Sequence, residues 1–217
     1  METVRGLLSQ GNAKVGEGIH LWGLPAGETC PGMSALCEKA CYARKGRFKY
    51  PSVRARLEWN LERSRRPDFA DLMAKEVRRK GCLVVRVHSA GDFYDAEYAQ
   101  KWLWVMRQRP RTRYYFYSRS WRQPEIAEVL ARMAALKCVR TWYSVDAETG
   151  RPDEAPPGVR IAYLRVDGSD DAAGADLVFR VRGLRSKRVG LDLVCPHETP
   201  KGRADDVNCG NCRQCWK

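Results

Sequence analysis

The sequence predicts an α/β fold: a partial (β/α) barrel with a mostly parallel sheet, ending in a cysteine-rich C-terminal tail. Three observations predict it. Short β-branched or aromatic runs alternate with helical patterns over residues 20–145, and such alternation builds right-handed units with parallel strands. After Asp146 the intervening helices shrink or vanish, so the sheet finishes with short connections. Seven of the nine cysteines fall into two groups, one near each end of the 217 residues. An open doubly wound sheet satisfies the same alternation. The expected division is residues 1–190 for the barrel with its N-terminal cysteine loop and 191–217 for the tail.

The elements follow in order. "IHLWGLPAG" reads as a short strand ended by Pro25 and Gly27. A helix starts near Ser52 as N-cap, with Val53, Leu57 and Leu61 on one face. Pro67 interrupts it, and "DFADLMAKEVRRKG" resumes with Phe69, Leu72, Met73 and Val77 inward until Gly81. "CLVVRVHSAGDF" is the clearest strand, broken at Ala90-Gly91-Asp92. The next helix begins at about Asp95 and turns Tyr98, Trp102, Val105 and Met106 to one side. "RYYFYSRS" is a strand, and "PEIAEVLARMAALK" is a helix with Pro124 in its first turn. "CVRTWYSVD", "GVRIAYLRVDG" and "ADLVFRV" complete six strands.

Charge points to the class of partner. The formal net charge is +13, from 39 Lys+Arg against 26 Asp+Glu, which favours nucleic acid or another polyanion. A soluble surface that happens to be basic is the plainer account. No apolar run approaches a membrane span, and the first residues lack the apolar core of a secretory signal. A cytoplasmic protein without a membrane partner is expected. In a reducing compartment, an odd number of cysteines argues for metal or redox chemistry rather than disulfides.

Cys195, Cys209, Cys212 and Cys215 are spaced C-x13-C-x2-C-x2-C. Three closely spaced thiolates with a fourth from a distant segment suit an iron–sulfur cubane. A four-cysteine zinc site is the alternative. Cys30, Cys37 and Cys41 give C-x6-C-x3-C, three local ligands without an evident fourth. That pattern suggests a second [4Fe-4S] cluster with one iron left open for a small molecule. The loop leaves the C-terminal end of the first strand, the edge where parallel α/β folds place their chemistry. The same edge gathers His88, Ser89, Gly91 and Asp92, then Ser118, Arg119 and Ser120, then Ser144 and Asp146, then Arg165 and Asp167. Gly91 lets backbone come close to a ligand, and Asp92 can receive an amino group.

This order of cysteine loop, Gly-acidic turn and polar strand tips resembles the radical S-adenosylmethionine enzymes. The resemblance implies Cys30, Cys37 and Cys41 as cluster ligands, S-adenosylmethionine on the open iron, Gly91 and Asp92 at that cofactor, and an external redox donor. Ser89, Ser118 and Ser144 are the further cofactor-binding candidates. The spacing departs from that family's C-x3-C-x2-C. Over nearly the whole chain, "LPAGETCPG", "ACYARKGRF", "HSAGDFYDAEYAQKW", "YSRSW" and "NCRQCW" resemble the gene product 88 family of phage and bacterial proteins. That resemblance supports the cysteines as ligands and adds little about substrate. A radical enzyme acting on a polyanionic or nucleic-acid-related substrate is the leading expectation. A non-enzymatic iron–sulfur nucleic-acid binder and a zinc-stapled interaction protein are the alternatives.

Other residues carry less. Cys82 and Cys138 begin apolar strands and suit core thiols, with a fourth ligand as the competing role. His88 divides between packing and site, and His197 reads as a loop residue. In "RYYFYSRSWR", Tyr115 and Tyr117 face one way and Tyr114 and Phe116 the other, which suits core aromatics as well as base stacking. Trp59, Trp102 and Trp104 read as packing.

Overall fold

The computed structural model of the chain describes residues 6–167, 171–180 and 194–217. The expected division at residue 190 and the end of the last strand, Val181, lie outside them. The fold is mixed α/β, with seven strands: β1 Ser9–Gln10, β2 Ile19–Leu21, β3 Val84–Arg86, β4 Arg113–Ser118, β5 Val139–Val145, β6 Val159–Arg165 and β7 Leu177–Arg180. They are hydrogen-bonded in sequence order, antiparallel between β1 and β2 and parallel from β2 to β7. A doubly wound sheet would reverse its strand order at the first strand, and this one does not.

The helices are α1 Ala35–Ala40, α2 Pro51–Arg65, α3 Phe69–Arg79, α4 Ala96–Gln108, α5 Pro124–Ala134, α6 Pro200–Ala204 and α7 Cys209–Cys212. Because side chains alternate across a strand, the sheet divides the core in two. One face, with Val85, Val87, Tyr114, Phe116, Val139 and Tyr143, packs with α2–α5. The second face, with Leu21, Val84, Tyr115, Trp142, Ala162 and Leu177, packs with Cys195 and Cys215 instead. The predicted alternation of the β4 aromatics holds. Tyr114, Tyr115 and Phe116 are fully buried, so they pack the two cores rather than offering rings at the surface.

Several local expectations change. The helix expected to start at Ser52 begins at Pro51, capped by Tyr50 without a side-chain bond. Leu72 and Trp104, expected inward, are 38% and 40% exposed. Trp102 is fully buried, and Trp59 packs on the first core under Arg56 and Arg63. Asp95 caps α4 by accepting from the Tyr98 amide at 2.7 Å. Cys82 is buried in the first core and Cys138 packs against it, which is the core-thiol role.

The added strand β1 has a specific anchor. The buried Glu76 carboxylate accepts from the Leu7 and Leu8 amides at 2.8 and 2.7 Å, and Arg56 donates to the Gly6 and Leu7 carbonyls. Glu76→Ala leaves two amides unpaired at about 1–3 kcal/mol each, so urea unfolding should show a loss of about 2–5 kcal/mol. Glu76→Gln, which keeps one acceptor oxygen, should lose less.

Candidate functional site

The front cysteine loop lies across the C-terminal ends of the parallel strands. Beyond β2 the chain runs on beside residues 86–90, with Trp22 N donating to Arg86 O and Leu24 N to Ala90 O. The loop is then fixed strand by strand. Asp92 N donates to Thr29 O at 3.1 Å. Arg122 Nη1 reaches Gly32 O, and Gln123 Nε2 reaches Pro31 O. Ser34 Oγ donates to Asp146 Oδ2 at 2.6 Å and also accepts from the Cys37 amide, capping α1. The Tyr42 hydroxyl donates to Ser89 O at 2.5 Å.

This drapery brings Cys30, Cys37 and Cys41 within each other's electrostatic reach. Burial pushes the Cys30 thiol up to about 12, helped by the nearby Asp92 charge and the other two thiols. Burial also raises Cys37, against the pull of Arg119. Arg119 and Asp146 form an ion pair at 2.8 Å, 5% and 1% exposed, next to Cys37. A neutral thiol is what burial and like-charged neighbours favour, and a bound cation reverses that preference. Among the described residues no three His, Cys, Asp or Glu side chains converge tightly enough to hold a single ion. A cubane gives each thiolate its own iron, so its ligands stand further apart than those of one zinc.

Of the predicted cofactor residues, Ser89, Gly91, Asp92 and Ser118 come together, with Ser144 one strand further on. Gly91 has φ +76°, and a Cβ there would meet Thr29 Oγ1 at 2.5 Å and Leu24 Cβ at 2.7 Å. Its close approach is to the chain's own front loop. Asp92 is 5% exposed and fully engaged. Oδ1 accepts from Phe93 N and Ser118 Oγ, and Oδ2 from Arg119 N and Ser120 N. A carboxylate offers about four lone-pair positions, so an incoming amino group has to displace one of these donors. The Ser144 carbonyl accepts from Trp121 Nε1 at 3.1 Å.

His88 is a packing residue in an unusual conformation. It is buried with φ +66°, stacked edge-on against Phe93. The Tyr98 oxygen accepts from Trp22 and Trp102 indole nitrogens, both at 2.8 Å. Its own proton therefore goes to His88 Nε2 at 2.9 Å, leaving a neutral imidazole protonated at Nδ1. Burial, with the Arg86 charge, lowers the His88 pKa to about 3.

The four rear cysteines gather at the opposite end of the second face. Trp142 Nε1 donates to Cys215 O, Arg140 Nε to Lys217 O and Arg160 Nη1 to Gln214 O. Cys209 N donates to Lys14 O, just ahead of β2. Cys195 and Cys215 are buried, and burial pushes them to about 12 and about 11. Cys195, Cys209 and Cys212 all lie within electrostatic reach of Cys215. The hydroxyls of Tyr115 and Tyr117 lie beside the Cys209 and Cys215 thiols. Hydroxyl donors beside thiols suit a centre whose sulfurs carry negative charge. His197 holds its own loop, with Nδ1 2.7 Å from Val207 O.

A family model described as gene product 88 matches residues 6–217. The chain belongs to the gene product 88 family. It is similar to the Gene 88 protein of Mycobacterium phage L5, 29% identical across 94% of this chain and 85% of that protein. The Gene 88 protein of Mycobacterium phage D29 is 28% identical with the same coverage. No solved structure matches. No helix among the described residues is long and apolar enough to cross a membrane.

Ser34, Tyr42 and Arg86 are the residues that sequence reasoning missed at this edge and face. Arg86 left a signal, a lone arginine inside the apolar run "CLVVRVHSAG", since such a charge is rarely buried unless paired. Gly32 left none. A Cβ at Gly32 would lie 1.9 Å from Arg119 O, a backbone atom. Gly32→Ala should therefore displace the front loop and lower stability by about 1–3 kcal/mol, read as a lower melting midpoint.

Proposed function

We propose that this gene product 88 protein is a cytoplasmic iron–sulfur enzyme of the radical-S-adenosylmethionine type, acting on a polyanionic or nucleic-acid-related substrate. Cys30, Cys37 and Cys41 would hold a [4Fe-4S] cluster with one open iron, and Cys195, Cys209, Cys212 and Cys215 a fully ligated second one. The observation that carries this reading is the gathering of three thiols at the C-terminal edge of a parallel sheet, beside Asp92 and the Arg119–Asp146 pair. Such a front cluster, kept reduced by an external electron donor, would supply one-electron reductive chemistry towards S-adenosylmethionine bound at this edge. The chain's own part is to hold the loop rigid. Asp92 fixes the tips of β3 and β4, Asp146 fixes Ser34 and Arg119, and Gly91, Ser89, Ser118 and Ser144 shape the edge where the cofactor would lie.

The sequential strand order, with α2–α5 on one face, supports an incomplete (β/α) barrel over residues 1–190 and a cluster-binding tail over 191–217. Zinc at the rear cysteines is the alternative metal. Anaerobically purified and reduced protein should show an iron–sulfur paramagnetic resonance signal that changes when S-adenosylmethionine is added. A signal indifferent to S-adenosylmethionine would sink the enzyme reading. The net charge of +13 favours one second reading, a cluster-braced nucleic-acid binder. It is distinguished by DNA or RNA affinity that falls steeply with salt.

A further inference from the structure

Between the two cysteine groups, the second face carries a guanidinium with no hydrogen-bond or ion-pair partner among the described residues. Arg86 ends β3, and its register neighbour on β4 is Tyr115. Its guanidinium carbon lies 5.8 Å from the Tyr117 ring centroid. Among the described residues no side-chain nitrogen of Arg86 makes a hydrogen bond or an ion pair, and Nε is wholly buried. The groups whose fields couple to it include the phenols of Tyr42, Tyr115 and Tyr117, the His88 imidazole and the Cys209 and Cys215 thiols. Phenols are neutral hydrogen-bonding groups at ordinary pH. They cannot compensate a cation.

A guanidinium presents five N–H donors in a planar fork. Leaving it unpaired away from water costs free energy that a folded chain normally avoids. The rear thiols do not answer the need, since no sulfur lies within hydrogen-bond reach of Arg86 among the described residues. Arg86 keeps part of its surface accessible although Nε is covered. Tyr42 comes over from the front loop, and the Tyr117 ring, packed with Trp142 and Phe179 at 5.6 and 5.2 Å, forms an aromatic flank.

We infer that Arg86 is the binding point for the terminal oxyanion of a small-molecule ligand, a phosphate or carboxylate group gripped by the guanidinium fork. Bidentate pairing to such a group is what the fork geometry favours. Its depth on the second face suits a terminal group better than the backbone of a duplex. The inference names a chemistry for the substrate proposed above but does not rest on which metal the cysteines carry.

The test uses full-length, anaerobically purified protein with its metal content measured on the same sample. Inorganic phosphate and acetate are titrated separately by calorimetry against chloride at matched ionic strength, and melting is followed in parallel. Wild type should bind one of the two saturably and melt higher with it, and the preferred anion tells phosphate from carboxylate. Arg86→Met should weaken that binding at least tenfold and, in anion-free buffer, melt no lower than wild type. Arg86→Lys, which keeps the charge without the fork, should bind with intermediate affinity. Equal anion affinity in wild type and Arg86→Met would locate binding on the general basic surface and overturn the inference. No saturable binding by wild type, or a markedly lower melting midpoint for Arg86→Met in anion-free buffer, would overturn it too. Iron content decides the metal reading separately, so the two can fail independently.

Discussion

Asp92→Ala is expected to be among the most destabilising single substitutions in the chain, with the iron of the proposed front cluster lost along with stability. Four donors converge on this carboxylate, all buried: the amides of Phe93, Arg119 and Ser120 and the hydroxyl of Ser118. Truncation leaves the Phe93 and Arg119 amides without an acceptor, while Ser120 N keeps Ser118 Oγ at 3.1 Å. At about 1–3 kcal/mol for each buried group left unpaired, the loss is about 3 kcal/mol or more. The Ser118 hydroxyl can turn to another partner, but those two amides cannot. Asp92→Asn should fall between alanine and wild type, because one amide oxygen still accepts while the NH2 meets donors head-on. Asp92 N also holds Thr29 O, so disorder at this turn passes directly to the loop bearing Cys30. Chemical unfolding and iron counting on the same preparations check both parts. A variant with near-native stability would mean that the four bonds are worth little, and the positioning role would go with them.

The sequence made the scaffold legible where one periodicity dominated. β3, β4 and β5 are short apolar runs, and α4 and α5 place Trp102, Val105, Val129 and Met133 at helical spacing; both patterns reappear as buried faces. β1 escaped because two exposed residues carry no pattern, and it exists through Glu76, a residue 68 positions away from Leu8. Leu72 and Trp104 misled because an apolar side chain at helical spacing need not face inward when the core is already filled by Met73 and Leu103. The candidate site divides the same way. Cysteine spacing and the turn after β3 were visible, and the front loop does lie at the strand ends. Three of the four partners of Asp92 were not, since they come from residues 26–28 positions away, at and just past the end of β4. Arg86 stood out in the sequence as an oddity whose surroundings only the sheet register supplies.

The larger effect is expected at the rear. Residues 194–217 bring little apolar material of their own beyond Val194, Trp216 and the thiols themselves. Their other ties among the described residues are polar: bonds from Arg140, Trp142 and Arg160 to the last carbonyls, Cys209 N to Lys14 O, Cys195 N to Val178 O, Arg180 to Glu198, and the Lys14–Glu198 ion pair. Such ties alone do not offset the chain entropy of ordering two dozen residues at about 1–2 kcal/mol each. A metal centre would add to them, because its ligands are assembled only in the folded state and its binding energy becomes folding energy, about 10 kcal/mol or more for structural zinc in small peptides. The double variant Cys195→Ser, Cys215→Ser should lose about half the iron, melt far lower and release the tail to trypsin. Removing the front cysteines instead should also take about half the iron but leave the tail protected. If the rear variant keeps its iron and resists trypsin like wild type, the tail is held by packing alone. The hydroxyls of Tyr115 and Tyr117 beside those thiols would then serve packing rather than a charged centre.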